Sequence, residues 1–475
     1  MKKKLLYFSA TIIVLVISIF ASIYMQHHEK RYHQHIEDVK TEGCAHTSTN
    51  DFCSNLPIVI VSTNGNEILN VIDDAEVNSI NISIIDNSSA MNHFNDIPSN
   101  VEIANMKIRG NSSKYFDKKS YRLKFLDEDG NGKNVNVMNM GADNSWVLNG
   151  PFLDKTLIRN YMCMNISGEI MQYAPDVKFC ELFIDEKYMG VYVMMESITR
   201  NKSRVDISGI NEKLNKTGYI LRLDRGSTEN INNFTKYSYR LGNNNVINIE
   251  YPTSSKLTYE LKNYIETDLS TFEKSLYSFD YKDNEYGYVK YIDISSFVDY
   301  FIINEFFINI DAGSYSTYLY KDIGEKLKLC VWDFNNSSDN YMERSFNEEE
   351  FFMTEKPWFY MLVKDEDFVK RIIWRYKELR KSVLSEEYLM NYIDETVDYL
   401  GDAIGRNYSV WGYSFEPENL DMSNRLDPIE RNLRSYDEAI TQLKTTIIKR
   451  GNWLDDNIDV LLQYCHESRT KKFNH

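Results

Sequence analysis

Asn309-Ile310-Asp311 and Val331-Trp332-Asp333-Phe334-Asn335 are the stretches on which the reading of this chain turns. Asp311 follows a run rich in Phe and Ile. Asp333 stands at the C-terminal end of a short apolar strand, Leu327-Lys328-Leu329-Cys330-Val331-Trp332. A short hairpin can bring two such acids into one cleft. Phosphoryl transfer needs that arrangement: one carboxylate orients or deprotonates the attacking hydroxyl, and another holds Mg²⁺ against the nucleotide phosphates. Taken alone, either acid reads more simply as a turn or a helix cap, the usual place for Asp beside Asn. The surrounding sequence has to decide.

The chain has 475 residues, enough for two or three ordinary domains or one large two-lobed one. Hydrophobic residues make up 43% and charged residues 26%, a globular balance. The 34 Tyr and 24 Phe supply a sizeable core. A net charge of −16 argues against a nucleic-acid partner, which such a field repels.

The N-terminus reads Met1-Lys2-Lys3-Lys4, then Leu5 to Tyr24 without a charge. A helix of that length spans about 30 Å, the thickness of a bilayer core. Residues 1–4 then form a cytoplasmic basic flank, 5–24 a transmembrane signal-anchor, and the bulk lies outside the membrane. A cleaved signal peptide is the alternative, but its apolar region is usually only about 7–15 residues, and Phe20-Ala21-Ser22 is a poor cleavage signal. Residues 25–53, with His27, His28, His33 and His35, read as a polar, solvated stalk rather than a metal site. No cysteine lies in a CxxC pair, so a structural zinc site is not expected. Cys44 and Cys53 flank a short polar loop and could pair in an oxidising compartment; the sequence leaves this open.

Residues 56–63, 80–85, 101–109, 120–126, 178–185, 189–195 and 219–223 carry strand patterns. Residues 156–173 show helical spacing, and after about 257 the pattern is mostly helical, over 256–277, 293–308, 365–382, 386–404 and 437–462. This predicts an α+β architecture: a β-rich lobe over 54–255, a helical lobe over 256–475, and a cleft between them.

Within the β-rich part, one strand ends at Arg109 and Gly110 lets the backbone turn. Asn111, Ser112 and Ser113 bring short donors near the backbone, and Lys118 and Lys119 precede the next strand. Small residues beside cations suit a nucleotide's phosphates. A glycine turn in a charged hairpin explains the same residues. Asp127-Glu128-Asp129-Gly130-Asn131-Gly132 is a hairpin turn and not an EF-hand, whose twelfth position would here be Met138. Gly190 to Glu196 is an apolar strand ending in an acid. It reads as a solvent-exposed strand terminus, or as the hinge near an adenine, with Glu196 pairing with a phosphate-binding Lys.

Together these pieces resemble the CotH family, the spore-coat-protein-H-like atypical kinases. The resemblance rests on Arg109-Gly110-Asn111-Ser112-Ser113 with Lys119-Ser120-Tyr121-Arg122-Leu123-Lys124; on Trp146-Val147-Leu148-Asn149-Gly150, Asp154-Lys155 and Leu157-Ile158-Arg159-Asn160; on Gly190-Val191-Tyr192 through Glu196; and on Asn309-Ile310-Asp311 and Trp332-Asp333-Phe334. Order and spacing hold from about Leu56 to about Trp411.

The resemblance implies a divergent two-lobed, protein-kinase-like fold. It implies transfer of the ATP γ-phosphoryl to Ser or Thr hydroxyls of a Ser-rich secreted or spore-coat protein, with Mg²⁺ or Mn²⁺. By motif, Asp311 is the catalytic acid and Asp333 the metal ligand, with Asn335 beside it. Arg109, Ser113, Lys119 and Lys118 hold the nucleotide, with Glu196 near it. The family commonly shows a second acid where this chain has Asn335, whose amide oxygen coordinates Mg²⁺ more weakly than a carboxylate. A CotH-like surface-binding protein with weak or lost catalysis is the alternative. A metal-dependent hydrolase would need a His or acid cluster that the sequence does not offer outside the stalk.

Overall fold

The computed structural model describes residues 31–38, 40, 43–44, 52–65, 76–87, 89–226, 230–237 and 245–467. The proposed membrane segment 5–24 lies outside the described residues, as do His27 and His28. Among the described residues, no helix is long and apolar enough to cross a membrane.

Seven strands close into a barrel: β1 (Ile58–Ser62), β2 (Glu76–Ile85), β3 (Asn100–Arg109), β4 (Ser120–Leu126), β5 (Ser145–Asn149), β6 (Val177–Ile184) and β7 (Lys187–Glu196). Their order round the barrel is β6-β7-β5-β4-β3-β2-β1. Every neighbouring pair is antiparallel except the closing one, where β6 runs parallel to β1. Period-two alternation explains the closure. Val59 and Val61, Ile80, Ile82 and Ile84, Tyr121, Leu123 and Phe125, and Tyr192 and Met194 share one buried cluster. The alternate residues Phe179, Val191, Val193 and Met195 belong to a second cluster built with the helices. Closure also removes the exposed edges that an open sheet would present.

A four-stranded antiparallel sheet follows: β8 (Tyr219–Arg225), β9 (Asn245–Tyr251), β10 (Thr317–Lys321) and β11 (Lys328–Cys330), in the order β9-β8-β10-β11. Two of its strands precede residue 256 and two follow it.

The longer helices among the described residues are α1 (Arg159–Ile170), α2 (Tyr259–Leu276), α3 (Ile294–Phe306), α4 (Glu366–Leu379), α5 (Glu386–Leu400), α6 (Asp402–Trp411) and α7 (Tyr436–Asn457). Most have a side-chain N-cap. Asp293 accepts from the Ser296 N–H to start α3, and Ser385 and Ser435 accept likewise at α5 and α7. The mixed architecture, β-rich first and helical after, is the one the sequence predicts.

Part of the expected stalk packs instead. Gln34–Glu37 is a helical turn, and His33 and Gln34 are buried. The Gln34 carboxamide pairs with both backbone groups of Phe179, donating to its carbonyl (3.2 Å) and accepting from its N–H (2.7 Å). His33 Nε2 lies 2.8 Å from Glu169 Oε1. A polar segment was misread as solvated because its polar groups have buried partners. Cys44 and Cys53 form a disulfide, with Cα atoms 6.2 Å apart.

Candidate active site

A cleft of about 570 Å³ is lined by residues of β3, β4 and β5 and the segment after β7 on the barrel side, and by β8, β10 and the loops around Asp311 and Asp333 on the other. The antiparallel pair β10–β11, in register Tyr318↔Cys330 and Leu319↔Leu329, explains how two distant acids meet. Asp311 precedes the first strand and Asp333 follows the second, so both leave the hairpin at the same end.

Both acid loops turn through left-handed backbone. Helix α3 ends at Phe306, and Ile308 then takes φ 50°, an uncommon state for a β-branched residue. Asp333 itself sits at φ 58°. Such conformations persist only where the surroundings hold them. Here Asn309 Nδ2 donates to Asn304 Oδ1 (3.0 Å) and to the Asp333 carbonyl (3.3 Å), tying the loops together.

Two consecutive amides hold the two acids. Asn336 Nδ2 donates to Asp311 Oδ2 at 2.7 Å. Asn335 Nδ2 donates to Asp333 Oδ1 at 2.9 Å, and the Asn335 N–H adds a bond of 3.2 Å to the same oxygen. Burial pushes the Asp311 carboxyl above its ordinary value, and the charge of Asp333 adds to the rise. The Asn336 bond and the cations Lys356 and Arg225 act against it. Lys356 donates to the Ile310 carbonyl (2.6 Å) and to Ser314 Oγ (3.2 Å), and burial brings its ammonium down to about 8.

The Asp333 loop is anchored from α1. Asn160 Oδ1 accepts from the Phe334 N–H (2.7 Å), while its Nδ2 donates to Asn335 Oδ1 (2.8 Å) and Asn149 Oδ1 (3.1 Å). Arg159 is buried against Asp154 (2.5 Å) and donates to the carbonyls of Ser337 (3.1 Å) and Ser338 (3.3 Å). The Asp154 and Leu157–Asn160 stretches therefore support the Asp333 loop and are not among the residues that line the cleft.

Opposite the acids, Gly110 adopts φ +113°, and a Cβ there would fall 1.9 Å from Ser113 Oγ. Only glycine fits this turn. Arg109, Asn111, Ser112 and Ser113 all line the cleft. Arg109 stacks over the Trp332 ring at 5.4 Å, and burial lowers its guanidinium against the opposing pull of Asp333.

Asp311, Asp333, Asn335, Arg109 and Ser113 are thus brought together; Lys118, Lys119 and Glu196 are not among the lining residues. Lys118 points elsewhere. Its ammonium is buried at the foot of the barrel, donating to the Val191 carbonyl (2.6 Å) and Asn407 Oδ1 (2.7 Å) and lying over Tyr192. Lys119 reaches back to the Lys114 carbonyl at 3.0 Å. Glu196 is buried beside Arg204 (3.3 Å) and accepts from the Asp176 N–H (2.9 Å), so its partner is an arginine and not a phosphate-binding lysine. The segment just after it, Ser197 to Thr199, does line the cleft.

The sequence reading missed Arg222 and Arg225, which line the cleft from β8. A signal was present: in Leu221-Arg222-Leu223-Asp224 the leucines are buried, which puts Arg222 and Asp224 on the opposite face.

The model of the CotH kinase protein family matches residues 106–454 of this chain. No curated protein matches it. The matched span includes all of the second sheet, both acid loops and α1 to α6.

Proposed function

Because the chain belongs to the CotH kinase protein family, we propose that the cleft transfers the γ-phosphoryl group of ATP to Ser or Thr hydroxyls of a secreted or spore-coat protein. The observation that carries this reading is the pair of acids, Asp311 and Asp333, each held by its own amide in one cleft faced by Arg109, Arg222 and Arg225.

The cleft's volume, about 570 Å³, falls in the range of small-molecule sites. Asp333 offers a hard oxygen donor of the kind that Mg²⁺ and Mn²⁺ take; Asn335 turns its NH2 to Asp333 and its oxygen to Asn160, so it would have to reorient to add a second donor. A divalent ion bound there would neutralise phosphate charge. The glycine turn with Arg109 and Ser113 faces the phosphates. Val147, Ile198 and Trp332 give the cleft its apolar lining, where the adenine is placed beside Ser197–Thr199. Asp311, raised above the ordinary carboxylate range, accepts the hydrogen bond of the attacking hydroxyl and takes its proton.

Incubation of the protein with γ-labelled ATP, Mn²⁺ or Mg²⁺ and a Ser-rich protein tests the reading. Transfer should be lost in both Asp311→Ala and Asp333→Ala. Label transfer that survives both substitutions sinks the assignment.

One observation favours a second reading, a surface-binding member with weak or lost transfer. Asn335 already satisfies Asp333 by donation, so the loop keeps its shape without an ion. Absence of any thermal stabilisation by millimolar ATP and metal would favour it, since a ligand that binds the native state must raise apparent stability.

We place the protein at an extracytoplasmic face, anchored by residues 5–24. The uncharged stretch after Lys2-Lys3-Lys4 and the Cys44–Cys53 disulfide support this. Protease added to intact cells should digest the bulk of the chain; complete protection refutes the placement.

A further inference from the structure

Of the four arginines that line the cleft, Arg109, Arg122, Arg222 and Arg225, three can be compared by their partners, and they are not held alike. Arg222 donates from Nε to Glu250 (2.7 Å) and from Nη1 to Asp224 (3.1 Å), so two carboxylates offset its charge. Arg109 lies over the Trp332 ring at 5.4 Å, within the field of Asp333. Arg225, at the end of β8, has its guanidinium hydrogen-bonded by a neutral group, with one carboxylate, Asp224, beside it at 3.9 Å. Its guanidinium lies over the Tyr315 ring at 4.2 Å. With its carboxamide oxygen turned toward the guanidinium, Asn111 accepts from Nε (2.9 Å) and Nη1 (2.7 Å). The nearest acid, Asp224, stands 3.9 Å from Nη1, beyond hydrogen-bond distance. The side chain remains half exposed.

An amide and a ring fix the plane of the guanidinium, and Asp224, shared with Arg222, offsets its charge only in part. That is how an arginine is prepared for an anion that arrives later. The two holders also come from the two sides of the cleft: Asn111 from the glycine turn after β3, and Tyr315 from the loop that carries Asp311. Arg225 acts on Asp311 as well, its charge opposing the upward shift of that carboxyl. We infer that Arg225, bridging the glycine turn and the Asp311 loop, clamps the terminal phosphate of a nucleoside triphosphate. The inference rests on the kinase reading and adds to it a residue that touches the transferred group. A diphosphate lacks the group that Arg225 grips, so the clamp discriminates between triphosphate and diphosphate.

The test is calorimetric titration of the full chain with ATP and with ADP in the presence of Mn²⁺, for the wild type, Arg225→Gln, Arg225→Lys and Asn111→Ala. Arg225→Gln should weaken ATP about 10- to 100-fold, the worth of one or two hydrogen bonds to a charged group, and leave ADP within about two-fold. Arg225→Lys keeps charge without the fork and should fall between. Asn111→Ala should weaken ATP about three-fold by freeing the guanidinium. A merely structural role would weaken both nucleotides together, leaving the ATP-to-ADP ratio as in the wild type; that outcome in Arg225→Gln and Arg225→Lys overturns the inference. A wild-type chain that binds neither nucleotide overturns the kinase reading itself, and the clamp with it.

Discussion

Asn335→Asp restores the acid that the family commonly carries, and the structure says what it does. Asn335 Nδ2 donates to Asp333 Oδ1 at 2.9 Å, while its own Oδ1 accepts from Asn160 at 2.8 Å. An aspartate keeps the Asn160 bond and replaces the donor with a second carboxylate oxygen. Without metal, the loss is one hydrogen bond to a charged group, about 1.5–3 kcal/mol. Repulsion between the carboxylates adds to this; at about 4 Å and an effective dielectric near 20 its ceiling is about 4 kcal/mol, lowered because one carboxyl can keep a proton. A net cost of about 2–4 kcal/mol follows. With about 2.1 cal/mol/K of unfolding entropy per residue, a chain of 475 residues loses roughly 1 °C per kcal/mol, so the metal-free midpoint drops by about 2–4 °C.

The sign with pH is fixed by the same repulsion. The shared proton raises one folded carboxyl above its unfolded value, so the folded state binds more protons between those two values and loses stability as pH rises through them. The deficit is therefore small near pH 4 and full at pH 7.5. Divalent metal reverses the order, because the second carboxylate adds charge and a ligand. A tenfold tighter Mn²⁺ site adds about 1.4 kcal/mol of stabilisation when metal is in excess. Thermal melts at pH 5 and 7.5, with and without Mn²⁺, read all of this. Equal metal-free midpoints together with unchanged Mn²⁺ affinity would refute the role given to the Asn335–Asp333 contact.

Two other outcomes follow from buried charges. Lys356, brought down to about 8, loses its proton on the alkaline side, and the Ile310 carbonyl and Ser314 contacts lose their charge with it; phosphoryl transfer should fall above about pH 8. Lys356→Arg should move that limb up by about one pH unit or more, since guanidinium stays protonated; an unmoved limb in a rate–pH profile excludes Lys356 as its source. Arg450 is buried against Glu305 and also donates to the carbonyls of Glu348 (2.6 Å) and Glu350 (2.7 Å). Arg450→Met leaves Glu305 buried without its cation and should cost about 3–5 kcal/mol in urea denaturation; a loss under about 1 kcal/mol would show that the pair contributes little.

The barrel was largely legible because its strands alternate. Ile80-Asn81-Ile82-Ser83-Ile84 and Tyr121-Arg122-Leu123-Lys124-Phe125 declare a buried and an outer face. Strand β5 was not, since Trp146 to Leu148 is buried on both faces and shows no period. Strand β9 was hidden differently. Asn245-Val246-Ile247-Asn248 looks like loop by composition, yet Asn245 and Asn248 are buried and donate to the carbonyls of Ser314 (2.8 Å) and Arg225 (3.2 Å). Polar side chains that serve backbone groups carry no hydrophobic pattern to read. The same blindness placed Lys118 at the phosphates. A lysine near a glycine turn is chemically suitable, and only the fold shows that α6 presents Asn407 to take it elsewhere.

This explains why residues without chemistry accompany the acids in the family-like constellation. Asp333 can hold left-handed backbone only while its loop is over-determined. Trp332 and Phe334 anchor the loop in the core on either side of Asp333, and hydrogen bonds hold the stretch that follows. Arg159 and Asn160 provide them from the first turn of α1, reaching Phe334, Asn335, Ser337 and Ser338. Asp154 in turn accepts from the Arg159 N–H at 3.0 Å and pairs with its side chain, which orients the guanidinium toward those carbonyls. The glycine turn sits on the barrel, and the acids sit on the hairpin beyond it. Helix α1, packed beneath β6 and β7, is the element whose polar N-terminus ties the hairpin's loop to the barrel-side Asn149. A substitution at Asn160 therefore acts on Asp333 without touching any ligand of the cleft.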